Sequence, residues 1–390
     1  MKKRVLIQLL SIFLAVQYTQ AQESGEKSLK EEIEVLEYPY FLVKGVKIHT
    51  DSLDDITKSV ATLKRQQLVE SIYNEGLNEL TKNNYKNAVE RFSKAIFHDK
   101  TFVKAYVNRG AAYKFLKDNN KALEDYRKAV SLDEQATLAW LGIATIEKER
   151  KNYDEALAAL DKLLKYDNQN AQGYYHQGMI YFDKEKYQEA LLSFDKSIAA
   201  EKNFAHAYND RASTKRKLGD LKGALQDYEK AISLDSKSSF MHNNLGSLKM
   251  EMKDIDGAIK AYDQAITLQS DYYIAYNNRG NAKFEKADYK GALEDFNKAL
   301  EIKPDYAFAL NNRATAKYKL GDYQGAVQDC NKAISLIPNY AAAYLNRGIA
   351  KEMLRDFKGA CLDWKKAGEL GIKNGQVYVT NSNCDEHGVK

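Results

Sequence analysis

Asn244, Asn278, Asn312 and Asn346 recur at a spacing of 34 residues. A carboxamide is neither acid, base nor nucleophile at ordinary pH, but it offers N–H donors and an acceptor oxygen, the complement of a peptide group. Such a row suits binding rather than bond making. Charge recurs at the same spacing: Arg109 with Asp125, Arg211 with Asp227, Arg279 with Asp295, Arg313 with Asp329 and Arg347 with Asp363. In the first copy the signs reverse, Glu75 with Arg91, and elsewhere neither place is charged, as in Ile143 with Ala159, Gln177 with Ser193 and Leu245 with Ala261. This joint presence and absence predicts partly buried structural ion pairs, in which removing one partner strands the other charge.

The groups that catalysis needs are not assembled. His49, His98, His176, His206, His242 and His387 contain no pair at metal-ligand spacing. The glycines follow a repeat rather than a phosphate loop, and no Ser or Cys has a nucleophile's context. A separate catalytic domain needs on the order of 100 residues, which neither end supplies. The expectation is no enzyme, no metal and no cofactor.

The elements that position these side chains come from repetition. From Val69 to Asn374 the chain divides into nine consecutive blocks of 34 residues without insertion or deletion. The twentieth place is always Ala: Ala88, Ala122, Ala156, Ala190, Ala224, Ala258, Ala292, Ala326 and Ala360. The eighth is always Gly or Ala, from Gly76 to Gly348. Small residues there let two helices of a block approach closely, with aromatic knobs at the fourth place (Tyr106, Trp140, Tyr174, Tyr208, Tyr276, Tyr344) and the twenty-fourth (Phe92, Tyr126, Phe194, Tyr228, Tyr262, Phe296, Trp364). Turn pairs such as Gly219-Asp220 and Gly321-Asp322 combine a left-handed cap with a helix N-cap. With 3 Pro and 21 Gly among 390 residues and 29% charged residues, long coil is excluded and helix favoured.

This pattern resembles the tetratricopeptide repeat family. The resemblance implies an all-α, right-handed superhelical solenoid of helix-turn-helix repeats, with helix A lining the concave face and helix B the convex one. It places the sixth residue of helix A on the groove, where the four asparagines resemble the asparagine ladder in the repeat domain of O-linked N-acetylglucosamine transferase, which grips extended peptide backbones. Phe240, Met250, Ile274, Phe284, Phe308 and Tyr318, at the second and twelfth places, flank that row as an apolar strip. The expected ligand is an extended peptide or partner protein; the plainer alternative is that these Asn are solvated groove residues. A clamp for chaperone tails does not fit: Asn281 and Asn312 match two of its places, but Asn277, Ala342 and Asn346 replace its basic residues.

Four segments are expected: a signal peptide over 1–21, an extension with a short extended pair and a capping helix over 22–68, the nine repeats over 69–374, and a tail over 375–390. Met1-Lys2-Lys3-Arg4 precedes an apolar stretch too short to span a bilayer, and Thr19-Gln20-Ala21 offers a cleavage site. No membrane insertion is expected after cleavage, and the destination is the periplasm, the exterior or the envelope. Loss of Lys2, Lys3 and Arg4 takes the formal net charge from +5 to +2. With no basic stripe, a nucleic-acid partner is not expected. Cys361 and Cys384 form a candidate disulfide in an exported chain, and Cys330 takes a core place. Two function classes remain: an interaction scaffold, as an adaptor in an envelope assembly, or a carbohydrate- or peptidoglycan-associated binding subunit in which Phe284, Phe308 and Tyr318 stack on sugars. The two Trp occupy core places, which lowers the second.

Overall fold

The computed structural model describes residues 33–35, 40–43, 46–381 and 384. The signal-peptide assignment, the start of the extension and most of the tail lie outside the described residues. The chain divides into two compact units, Met1–Asn168 and Gln169–Lys390.

The first unit opens with an antiparallel sheet in the order β1 (Ile33–Val35), β2 (Tyr40–Val43), β3 (Val46–His49), in which Val43 pairs with both Ile33 and Val46. β2 and β3 lie where the short extended pair was expected, and β1 precedes them. Six helices follow: α1 (Thr50–Thr81), α2 (Tyr85–His98), α3 (Val103–Phe115), α4 (Asn119–Leu132), α5 (Thr137–Glu149) and α6 (Tyr153–Tyr166). The expected capping helix and the first helix A are one continuous element of 32 residues, α1. No Gly or Pro occurs from Thr50 to Glu75 to stop it.

The second unit is helical among its described residues. Its A and B helices alternate: α7 (Ala171–Asp183), α8 (Tyr187–Ala200), α9 (Ala205–Lys217), α10 (Leu221–Leu234), α11 (Ser239–Glu251), α12 (Ile255–Leu268), α13 (Tyr273–Glu285), α14 (Tyr289–Ile302), α15 (Ala307–Lys319), α16 (Tyr323–Leu336), α17 (Ala341–Met353), α18 (Phe357–Glu369) and a last helix, α19 (Lys373–Asn381). Within this unit each A helix also packs against the next A helix, which puts the A helices on the inner side of the stack.

The A–B turn shows why each block makes two helices. Its fifteenth residue has a left-handed φ, 62° at Ala287 and 88° at Gly321. The next N–H reaches back to the helix-A carbonyl five residues earlier, as Asp288 does to Lys283 at 3.0 Å. The same aspartate then caps helix B, its Oδ1 accepting from the Gly291 N–H at 2.9 Å. One residue thus closes two helices.

Packing rests on holes and knobs. All nine twentieth-place alanines are buried. A Cβ added at Gly76, Gly178, Gly246 or Gly280 would lie 2.5–2.7 Å from the ring of Phe92, Phe194, Tyr262 or Phe296. The twenty-fourth-place aromatics therefore fill the holes. Those of the fourth place do not: Tyr106 is buried, the other five are half-buried, and Tyr106, Tyr208, Tyr276 and Tyr344 lie against arginines. At the end of the unit Tyr378 of α19 stacks on Trp364 at 5.0 Å, and the sulfurs of Cys361 and Cys384 are bonded, with Cα atoms 5.6 Å apart.

Candidate functional site

The structure brings each arginine to its aspartate. Arg279 Nε and Nη2 donate to the two Asp295 carboxylate oxygens at 2.9 and 2.6 Å, and Arg109, Arg211, Arg313 and Arg347 form the same fork with Asp125, Asp227, Asp329 and Asp363. The aspartates are buried. Glu75 and Arg91 also meet, at 3.0 Å, but in a more exposed place. Burial lifts the Asp125 carboxyl above its ordinary range, and the Arg109 guanidinium opposes that only in part.

Two contacts were not anticipated. The free arm of each arginine reaches the preceding helix B: Arg279 Nη1 to Asp263 at 2.7 Å, Arg211 to Asp195, Arg313 to Asn297, Arg347 to Asn331 and Arg109 to Ser93. A lysine four residues on, Lys215, Lys283, Lys317 or Lys351, shares the aspartate at 2.8–2.9 Å. The arginines therefore join repeats as well as helices.

The asparagine row lies on α11, α13, α15 and α17. Asn244, Asn278, Asn312 and Asn346 are half-buried, and each Nδ2 donates to the Oδ1 of an asparagine one place earlier in the preceding repeat. The partners are Asn209, Asn243, Asn277 and Asn311, at 3.1, 3.0, 3.0 and 2.9 Å. These partners are buried. Each ladder amide is thus held by one N–H, and two are held further: Asn277 Nδ2 donates to the Asn278 Oδ1 at 3.4 Å, and Asn346 Nδ2 also donates to Thr315 Oγ1 at 3.2 Å. A carboxamide oxygen has two lone pairs, so each keeps acceptor capacity. The signal for this bracing was the doublet itself, Asn243-Asn244, Asn277-Asn278 and Asn311-Asn312. The row begins at Asn244; the equivalent place of the preceding repeat is Asp210.

The flanking apolar residues are only partly free. Phe240, Met250, Phe284 and Tyr318 pack on one side against the core, and Ile274 is half-buried. Phe308 is the exposed member, at 50%, set edge-on between Tyr306 and Tyr340. Asn281 is half-buried on α13. Trp364 is buried, whereas Trp140 is half-buried with its indole N–H on the Glu134 carbonyl at 2.9 Å. Among the described residues no cluster of His, Cys, Asp or Glu could hold a metal, and no helix is long and apolar enough to cross a membrane.

Comparison with known proteins agrees with this architecture. Family models described as Tetratricopeptide repeat match residues 103–135, 273–306 and 307–340, then 141–206 and 205–238, and one described as TPR repeat matches 246–286. No curated protein matches. Among solved structures the Cut9–Hcn1 hetero-tetramer of APC/C is 16% identical, over 80% of this chain and 76% of that one, with a TM-score of 0.54. PilW, a type IV pilus biogenesis factor, is 19% identical over 54% of this chain and 98% of that one, at 0.50. YrrB, a TPR protein with an unusual peptide-binding site, is 26% identical over 48% and 97%, at 0.40. The first two likenesses show the fold. With helix pairs and family matches spread along both units, the chain belongs to the tetratricopeptide repeat family.

Proposed function

We propose that this chain is an exported protein-interaction scaffold, an adaptor in a cell-envelope assembly, which holds an extended segment of a partner protein across the inner face of α11, α13, α15 and α17. The observation that carries the reading is the braced amide row. Because a buried asparagine fixes each ladder amide, binding a peptide group costs little of the rotamer entropy that a free side chain would lose. The apolar strip beside it, with Phe308 outermost, supplies desolvation that hydrogen bonds alone do not. The partner's backbone is gripped and its sequence read mainly through contacts to the strip.

A photoreactive residue placed at Phe308 in the native cell tests this, with Leu192 of α8, 62% exposed, as the outward-facing control. A discrete adduct at Phe308 that weakens when Asn278 is replaced by Ala is the expected result. Identical adducts at the two positions, or none at Phe308, would count against the groove. The export part rests on residues 1–21 alone. N-terminal sequencing of the cellular protein should begin at Gln22, and an intact Met1 start would remove it.

A further inference from the structure

The last junction between helices differs from those before it by a covalent bond. In the four preceding junctions the twenty-first residue of a helix B packs with the tenth residue of the next helix A: Leu225 with Leu248, Ile259 with Ala282, Leu293 with Ala316 and Val327 with Ala350. Counted in the same frame, Cys361 is a twenty-first residue and Cys384 a tenth. The disulfide therefore stands where an apolar contact stands elsewhere, and α19 is a truncated helix A whose Tyr378 takes the aromatic fourth place.

We propose that this bond is an oxidation-set latch, which decides whether α19 is docked on α18 and so whether the last inter-repeat face is closed. The latch works whatever the groove binds. An interior helix A is held from two sides, as α17 is between α16 and α18, whereas α19 has 9 residues and packs on α18. A helix that short is not stable alone in water. The connector at residues 370–372 ties one end of it, and the bond ties the other.

What α19 covers is apolar but small. Tyr378 stacks on Trp364, and the buried members of this core are Ala360, Cys361, Trp364 and Cys384, so half of them are the bonded cysteines themselves. Gly375 permits the approach, since a Cβ there would lie 2.6 Å from the Trp364 carbonyl oxygen. The closed end also carries a cost, because the Trp364 indole N–H is buried with no acceptor.

Closing is a thiol–disulfide exchange with a disulfide oxidant. One cysteine thiolate attacks the oxidant's disulfide, forming a mixed disulfide and releasing a thiolate; the other cysteine thiolate then attacks the cysteine sulfur of that bond and releases the second. Two cysteine thiols are oxidised, the oxidant is reduced to two thiols, and the protons pass to the released thiolates. Both cysteines are 1% exposed once bonded, so dissolved thiols reach the bond only when α19 opens. The latch closes in oxidising surroundings and then stays closed.

The test uses the full chain with Trp140→Phe, which leaves Trp364 as its one tryptophan. Thiol titration after denaturation distinguishes the states: Cys330 alone reacts in the oxidised chain, and all 3 cysteines react after refolding in dithiothreitol. In the reduced chain and in Cys384→Ser, acrylamide should quench Trp364 severalfold more strongly. Amide exchange in α19 should accelerate about a hundredfold, the scale of releasing a loop of this size, while α13 to α16 keep their rates. Oxidised glutathione should restore both readings in the reduced chain and neither in Cys384→Ser. Equal quenching and equal protection of α19 with and without the bond would overturn the latch, since packing alone would then dock the helix. A rise shared evenly from α7 to α18 would overturn it too, because the bond would then hold the whole unit and not one helix.

Discussion

At the scale of single residues, the arginine fork decides most. Asp295 is held by Arg279 and Lys283, whereas Arg279 also has Asp263. Removing the aspartate leaves two neighbouring cations facing a buried gap; removing the arginine leaves Asp295 with Lys283. Asp295→Ala should therefore cost about 3 kcal/mol, the low end for breaking a buried pair, and Arg279→Leu less. Their double variant should recover part of the sum in urea denaturation, and strict additivity would refute the coupling. Burial sets a second expectation, at alkaline pH. It pushes the Tyr126 hydroxyl and the Cys330 thiol up to about 12 each, with the Asp125 charge a secondary cause in Tyr126. A raised folded-state pKa contributes stability that is complete below the ordinary pKa and lost as pH climbs through the folded one. The melting temperature should fall between pH 10 and 12, and Tyr126→Phe should flatten that fall; an unchanged profile would show that Tyr126 does not titrate on unfolding. These roles were legible to different degrees. Covariation of charge across nine copies exposed the fork, but the third arm to the preceding repeat was hidden, because its acceptor varies among Asp, Asn and Ser.

At the scale of elements, the A–B turn is where sequence and geometry part. Gly219 and Gly321 advertise a left-handed residue, yet the same conformation is taken by Asn83, Lys117, Lys151, Glu185, Lys253, Ala287 and Arg355. Apart from Asn83, nothing in those side chains announces a positive φ; only their alignment with the two glycines does. A Cβ in this region costs roughly 1 kcal/mol, so Ala287→Gly should stabilise the protein by up to about that amount. The greater unfolded-chain freedom of glycine offsets part of the gain. Calorimetry decides, and a clear loss of stability would mean that the turn relaxes without a glycine. Asp288→Ala in the same turn should cost about 1 kcal/mol as its cap to Gly291 is lost. The last connector breaks the pattern in a way the repeat count did not foretell. Gly371, φ 96°, replaces the extended residue that elsewhere follows helix B, and α19 starts at Lys373.

At the scale of the whole array, each repeat is stabilised mainly by its neighbours, so stability is a sum of unit and interface contributions. The amide brackets belong to the interface part. Within the second unit, Asn277 is 4% exposed and accepts from Asn312 in the next repeat. Asn277→Ala leaves the Asn312 N–H short of its acceptor in a half-buried place, a cost of about 1–3 kcal/mol. Because that cost falls between α13 and α15 rather than inside a helix pair, it should weaken the coupling of the repeats on either side. The expected signature is a broader urea transition with a lower m-value, and hydrogen exchange that accelerates first in α15 to α18. The buried residue should therefore matter for cooperativity and its half-buried partner Asn312 for ligand grip. A transition that moves to lower urea while staying as steep, with exchange raised evenly along the unit, would mean that the brackets are local hydrogen bonds and that the inner face is held in shape by the alanine and aromatic packing alone.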